Sequence, residues 1–290
     1  MLLVVGSSGL VGQSIVRCFR ENGRPVCTAS HGPGADLHFD LLAPEKALDG
    51  IRSRGVRHAV VCSAIADVDR CAREQTYTWT FNVERMKTLL AGLQDQGIVT
   101  VFCSSDMVFA GDRGGYRESE RPEPTTEYGR QKKAIEDFLA SRGNPYAVLR
   151  MSKIYSPMPS KGSVVHDTLK ALRSGAVRAA TDQIIIPTMA DDVARTVMAI
   201  IDRGLSGVFH VSPRERYFRY DFVRALADAA GIKADRITPC SLDEIPFLEP
   251  RPKHLWLDGR DTEARTGVRP VELPSVLDMV VARASAAATA

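Results

Sequence analysis

Five short apolar runs punctuate the first half of this 290-residue chain, at positions 2–5, 25–29, 58–64, 99–105 and 146–152. Helical stretches lie between most of them, from about Val11 to Asn22, through Asn82 to Gln96, and around Tyr128. Runs that are apolar nearly throughout, rather than alternating, suit strands buried on both faces, and strand–helix alternation joins such strands in parallel. The pattern predicts an α/β fold with a doubly wound parallel sheet, Rossmann-like. With 44% hydrophobic residues the chain has ample material for its cores.

Sheets of this kind bind ligands beyond the carboxyl ends of their strands. The first run ends in Gly6-Ser7-Ser8-Gly9-Leu10-Val11-Gly12, a G-x-x-G-x-x-G turn that leads straight into a helix. Glycines there let the backbone approach a pyrophosphate, and the N–H groups at the helix start face the anion. Gly6, Ser8, Gly9, Leu10, Val11 and Gly12 are therefore candidate dinucleotide contacts. A site for NAD usually places an acid at the end of the second strand, on the ribose hydroxyls. Here that end reads Thr28-Ala29-Ser30-His31-Gly32, so Ser30 and His31 favour NADP(H), with NAD(H) the alternative. In Glu127-Tyr128-Gly129-Arg130-Gln131-Lys132-Lys133, Tyr128 and Lys132 stand one helical turn apart. An ammonium beside a phenol lowers its pKa and equips it for proton transfer.

Other chemistries find little support. The formal charge is +3, from 38 basic and 35 acidic residues spread along the chain, which recommends neither nucleic acid nor a membrane surface as partner. The opening Met1 to Gly6 is too short for a signal-peptide core and no later run could span a bilayer, so a cytoplasmic location is expected. Cys18, Cys27, Cys62, Cys71, Cys103 and Cys240 show no C-x-x-C spacing and read as buried thiols. The histidines form no metal-spaced pair, and no metal is expected. From Ala282 to Ala290 the composition suggests a frayed helix end or disorder.

Taken together, the glycine turn and the Tyr-x-x-x-Lys pair resemble the extended short-chain dehydrogenases/reductases, and more narrowly the dTDP-4-dehydrorhamnose reductase branch. Ser104-Ser105-Asp106-Met107-Val108-Phe109-Ala110-Gly111, then Gly115-Tyr116 and Glu127-Tyr128-Gly129-Arg130, match that branch's "STDYVFDG…GGY…VYGRSK" with its spacing. Asp182-Gln183 with Pro187-Thr188, the run Gly207 to Val211, and Arg251-Pro252 before Leu257-Asp258 follow in the branch's order. The resemblance implies NADPH-dependent reduction of a keto group, at C4, on a nucleotide-activated deoxysugar. Ser105 would bond the substrate carbonyl, Tyr128 would donate the proton, and Lys132 would hold the nicotinamide ribose and depress the tyrosine pKa. Asp40-Leu41 resembles an adenine-contacting pair, Cys62-Ser63-Ala64 occupies a station beside the nicotinamide, and Asn82 matches a helix asparagine that is more often structural.

The chain also departs from the branch. Lys153 stands where a sugar-packing tryptophan is usual and could meet a phosphate or carboxylate of the ligand; Asp106 beside Ser105 and the phosphate candidate Arg251 complete the expected substrate contacts. Ile184-Ile185-Ile186 replaces a glycine and is expected to stiffen its loop. Dehydratases of the superfamily carry Asp-Glu after the threonine, whereas Asp106 is followed by Met107. A 4-epimerase holding NAD tightly and a non-catalytic NADP-binding subunit, like the methionine adenosyltransferase beta subunit, stay open as alternatives. The family often forms homodimers, but no interface is legible. Residues 1–155 and 178–212 are expected to form the cofactor lobe, and 156–177 and 213–290 a smaller C-terminal substrate-binding lobe.

Overall fold

The computed structural model describes residues 1–158, 160 and 162–286. The first part of the chain runs β1 (Leu2–Val5), α1 (Leu10–Glu21), β2 (Val26–Ser30), β3 (Leu37–His38), α2 (Glu45–Arg52), β4 (His58–Val61), α3 (Val68–Arg73) and α4 (Gln75–Trp79). It continues with α5 (Arg85–Asp95), β5 (Val99–Cys103), α6 (Glu127–Ser141) and β6 (Tyr146–Met151). The second part comprises β7 (Lys153–Tyr155), α7 (Val164–Ser174), β8 (Val177–Ala180), β9 (Ile184–Ile185), β10 (Pro187–Met189) and α8 (Ala190–Asp202). After these come β11 (Gly207–Val211), β12 (Tyr217–Phe218), α9 (Arg219–Ala229), β13 (Ile237–Cys240), α10 (Arg260–Thr266) and α11 (Leu277–Ala286).

Among the described residues, seven strands form one sheet in the order β3-β2-β1-β4-β5-β6-β11, every pair parallel. The chain builds outward from β1 to β3, then crosses to β4 and builds the other way, so the strand order reverses between β1 and β4. That reversal opens a crevice at the carboxyl ends, the place where such sheets hold ligands. Strand residues alternate between two cores. Leu3 and Val5 face Met86, Leu89 and Ile135 of α5 and α6. Leu2 and Val4 face Ile15, Phe19, Val193 and Val197 of α1 and α8. Burial on both faces is why these strands read as unbroken apolar runs.

A third core gathers Tyr155, Leu169, Phe222, Ile237, Leu273 and Val280 from later in the chain. Ala179, Ile185 and Met189 also belong to it. Positions 178–189, grouped by sequence with the first lobe, thus lie with the second: β8 pairs with β13 and β9 with β12. From the later part of the chain α8 and β11 return to the large sheet, and α10 packs beside them. The isoleucine run does more than stiffen a loop, since Ile184 and Ile185 form β9 and Ile185 and Ile186 are buried. At the other end, α11 continues through Ala286, and positions 287–290 of the tail lie outside the described residues.

Candidate active site

The glycine turn is built for close approach. Gly6 adopts φ +82°, a left-handed conformation that glycine takes without steric cost. A Cβ on Gly12 would lie 2.2 Å from the Gly6 carbonyl oxygen. Gly12→Ala is accordingly expected to cost about 1–3 kcal/mol, read from urea unfolding; a wild-type midpoint would show that the turn tolerates a side chain. Gly9 caps α1 without a side-chain bond, and the first bond of the helix runs from the Gln13 N–H to the Gly9 oxygen, 2.9 Å. The N–H groups of Leu10, Val11 and Gly12 therefore precede the helical ladder, and these residues line the cleft, which suits a dinucleotide pyrophosphate.

Opposite this turn stand the catalytic candidates. Ser105 follows β5, and its hydroxyl donates to Asp106 Oδ1 at 3.0 Å while accepting the Met107 N–H at 3.2 Å. Thr126 caps α6 by accepting the Gly129 N–H at 3.2 Å, which fixes where Tyr128 enters the helix. Tyr128 is buried and lines the same cleft as Ser105. Lys132 is buried; its Nζ donates to the Cys103 carbonyl at 2.8 Å and lies 5.7 Å from the Tyr128 ring centre. Gly9 to Gly12, Cys62, Ala64, Ser105, Asp106, Tyr128, Lys132 and Lys153 all line one cleft of about 320 Å³.

One electrostatic expectation is corrected. Sequence spacing has Lys132 depressing the Tyr128 pKa, but the phenol is pushed up, first by burial and then by the Asp106 charge. Burial likewise lowers Lys132 to about 8, since a charged amine loses hydration there. Asp106 is itself raised by burial. The phenol thus stays protonated throughout the neutral range and can act as a proton donor.

The neighbouring segment 62–66 is pinned from below. Asn82, in a π-helical turn Thr80–Glu84, accepts the Ile65 N–H and donates to the Ile65 carbonyl, both at 2.9 Å, and donates to Gln131 Oε1 at 2.7 Å. This asparagine is structural, tying the segment to α6. Ser63 packs against Gly6. Cys62 and Cys103 lie side by side, their sulfurs 3.5 Å apart.

Several candidates sit elsewhere. Ser8 and Ser30 line a second hollow of about 460 Å³ on the other flank of the turn, together with Arg17 and Arg20 of α1. His31 is exposed, with its ring 5.2 Å from that of His38. Asp40 Oδ1 accepts the Leu42 N–H at 2.9 Å, and Leu41 is buried in the first core. Arg251 bonds Asp69 at 2.7 Å, donates to the Glu249 carbonyl at 2.9 Å and packs on Phe247, so its guanidinium is already engaged. Lys153 is open to the cleft, yet its amine is lowered by desolvation and by Arg219, with Asp106 opposing. Arg219 was not legible as a site residue; it follows Phe218 at the start of α9, and its guanidinium has no partner among the described residues. A larger hollow, about 520 Å³, is lined by Trp256 and arginines including Arg214 and Arg260, but by none of the candidates.

Among the described residues no group of three or more His, Cys, Asp or Glu side chains could hold a metal ion, and no helix is long and apolar enough to cross a membrane.

The chain resembles known proteins along nearly its full length. It is 29% identical over 274 residues to "Probable low-salt glycan biosynthesis reductase Agl14" of Haloferax volcanii, with 91% of each chain covered. It is 27% identical to "Methionine adenosyltransferase 2 subunit beta" of Xenopus tropicalis, covering 95% of this chain and 88% of that protein. The crystal structure of dTDP-4-dehydrorhamnose reductase from Bacillus anthracis in complex with NADP superposes with a TM-score of 0.86 at 20% identity, covering 99% of this chain and 98% of the other. Residues 1–285 match the model of the RmlD substrate binding domain, and the chain belongs to that family.

Proposed function

We propose that this protein is an NADPH-dependent reductase acting on the keto group, at C4, of a nucleotide-activated deoxysugar. The observation that carries the reading is the convergence of Ser105, Tyr128 and Lys132 on one cleft wall, facing the glycine turn. The relatives named as reductases, and the NADP complex of a protein with the same fold, support it. In this reading the large sheet with its helices binds cofactor, and the third core with its loops binds the sugar nucleotide.

NADPH on the turn would supply the hydride. Ser105 donates to the carbonyl oxygen as negative charge grows there, and Tyr128 hands over its proton. Lys132, anchored on the Cys103 carbonyl, adds positive charge beside the phenol and would hold the nicotinamide ribose. Arg17 and Arg20 line the second hollow beside Ser30, together with Glu21; each already meets a carboxylate, Asp191 and Asp36, so a 2′-phosphate would have to compete for them. Lys153 and Arg219 are cations that suit the ligand's phosphates. Arg251 joins them only by leaving Asp69. The protonated phenol favours reduction over a 4-epimerase, which must begin by removing a proton. A cytoplasmic location and a homodimer belong to this proposal.

The test follows nicotinamide absorbance when protein and NADPH meet a panel of uridine- and thymidine-linked 4-keto-6-deoxysugars. Oxidation with one member is expected. Saturable NADPH binding with no ketone reduced, and a copurifying partner, would replace the proposal with the non-catalytic subunit.

A further inference from the structure

The paired thiols at the floor of the cleft have no part in the hydride chemistry. Register places them together: Val61 lies opposite Phe102 in the β4–β5 pair, so the next residues, Cys62 and Cys103, are cross-strand neighbours. Neighbouring strands run about 4.8 Å apart, inside the Cα separation of roughly 4.4–6.8 Å that disulfides span. The sulfurs are 3.5 Å apart, both line the cleft, and neither is bonded to another cysteine. Cys71, the third cysteine of this region, instead bonds the Ile65 carbonyl at 3.4 Å.

We propose that Cys62 and Cys103 form a reversible oxidative modification site, a dithiol that closes to a disulfide and shuts the active site. The hydrogen bond between the two thiols, with Lys132 acting the same way, holds Cys103 below the ordinary thiol range, and the same bond together with burial pushes Cys62 well above it. Cys103, whose carbonyl holds the Lys132 ammonium beside it, takes the attacking role and Cys62 the resolving one. With a small-molecule disulfide as oxidant, the Cys103 thiolate attacks one sulfur and forms a mixed disulfide, releasing one small thiolate. Cys62 then attacks the Cys103 sulfur, loses its proton and expels the second. Two protein thiols are oxidised, one external disulfide is reduced to two thiols, and the two protons end on them.

The consequence follows from what Cys103 carries. Its carbonyl anchors Lys132, and Cys62 opens the segment that packs against Gly6. Drawing the sulfurs together shifts both strand ends at the point where the nicotinamide would sit.

The test treats the intact protein with hydroxyethyl disulfide, maps disulfides by peptide mass, and measures NADPH binding by fluorescence before and after. The expected result is a Cys62–Cys103 peptide, a loss of NADPH affinity of about tenfold or more, and recovery with dithiothreitol. Cys103→Ser should lose that peptide and keep its own untreated affinity after oxidant. Absence of the Cys62–Cys103 peptide, or its presence with NADPH affinity unchanged, overturns the proposal. If the reduced protein itself binds no NADPH, the cofactor reading fails while peptide mapping still decides whether the dithiol closes; the switch is then overturned as an active-site control.

Discussion

Tyr128→Phe is expected to lower kcat for ketone reduction by about a thousandfold, within the roughly 10²–10⁴ that a positioned proton donor contributes. That is about 4 kcal/mol of barrier. The substitution removes one oxygen and leaves the ring to fill the same buried volume. Substrate and cofactor binding should change little, so kcat and kcat/KM fall together, as they do when an interaction is made only in the transition state. A variant that keeps its turnover would return Tyr128 to the status of a packed aromatic. The neighbouring amine adds a pH signature. Lys132 is lowered to about 8, and its charged form is the one that supports proton delivery. Wild-type kcat/KM should therefore fall as pH rises through about 8, while the phenol, pushed up by burial, contributes no ionisation in the neutral range. A profile flat well beyond pH 8 would remove Lys132 from the chemistry.

Local chemistry was legible in the sequence, and long-range pairing was not. The apolar runs named the strands because burial on both faces leaves no polar alternation. The glycine turn named the crevice because few other residues can pass so close to the Gly6 carbonyl. Tyr128 and Lys132 declared themselves by helical spacing, yet the sign of the phenol's pKa shift did not. It depends on how deeply α6 buries the ring and on Asp106, which follows a different strand. Arg219 and the arginines beside Ser30 went unseen for the same reason, since folding brings them to their sites from other elements. Arg251 was read as a phosphate contact, and the ion pair that already engages it went unseen because Asp69 lies far upstream in the sequence. The packing of positions 178–189 against the third core was not legible because the short strands there pair with β12 and β13, partners that no local pattern reveals.

Glu136→Ala is expected to destabilise the fold by about 3–5 kcal/mol, the cost of leaving a buried charge without its partner. Glu136 and Arg150 have side chains 7% and 3% exposed, and their bond is 2.6 Å at the guanidinium Nη2. The carboxylate also takes the Arg150 Nε–H at 3.1 Å and the Ser104 hydroxyl, so one substitution orphans donors on two elements. At roughly 2–4 °C per kcal/mol, the melting midpoint should drop by about 6–20 °C. Glu136→Gln, which keeps an acceptor in place, should cost less. Pairing Glu136→Leu with Arg150→Met should recover much of the loss, because removing both charges also removes their desolvation. Additive losses in that double variant would show that the pair is not coupled. The far side of Arg150 meets His210 at 3.3 Å, and burial followed by the Arg150 charge pushes that imidazole down to about 3. The unfolded chain takes up this proton near its ordinary value of 6.5, whereas the folded chain refuses it until about 3. Between those values the unfolded state binds more protons, so stability falls with falling pH by about 1.4 kcal/mol per unit from this group. His210→Asn should remove that part of the slope in urea midpoints measured across the window, and an unchanged slope would mean that other groups govern the acid limb.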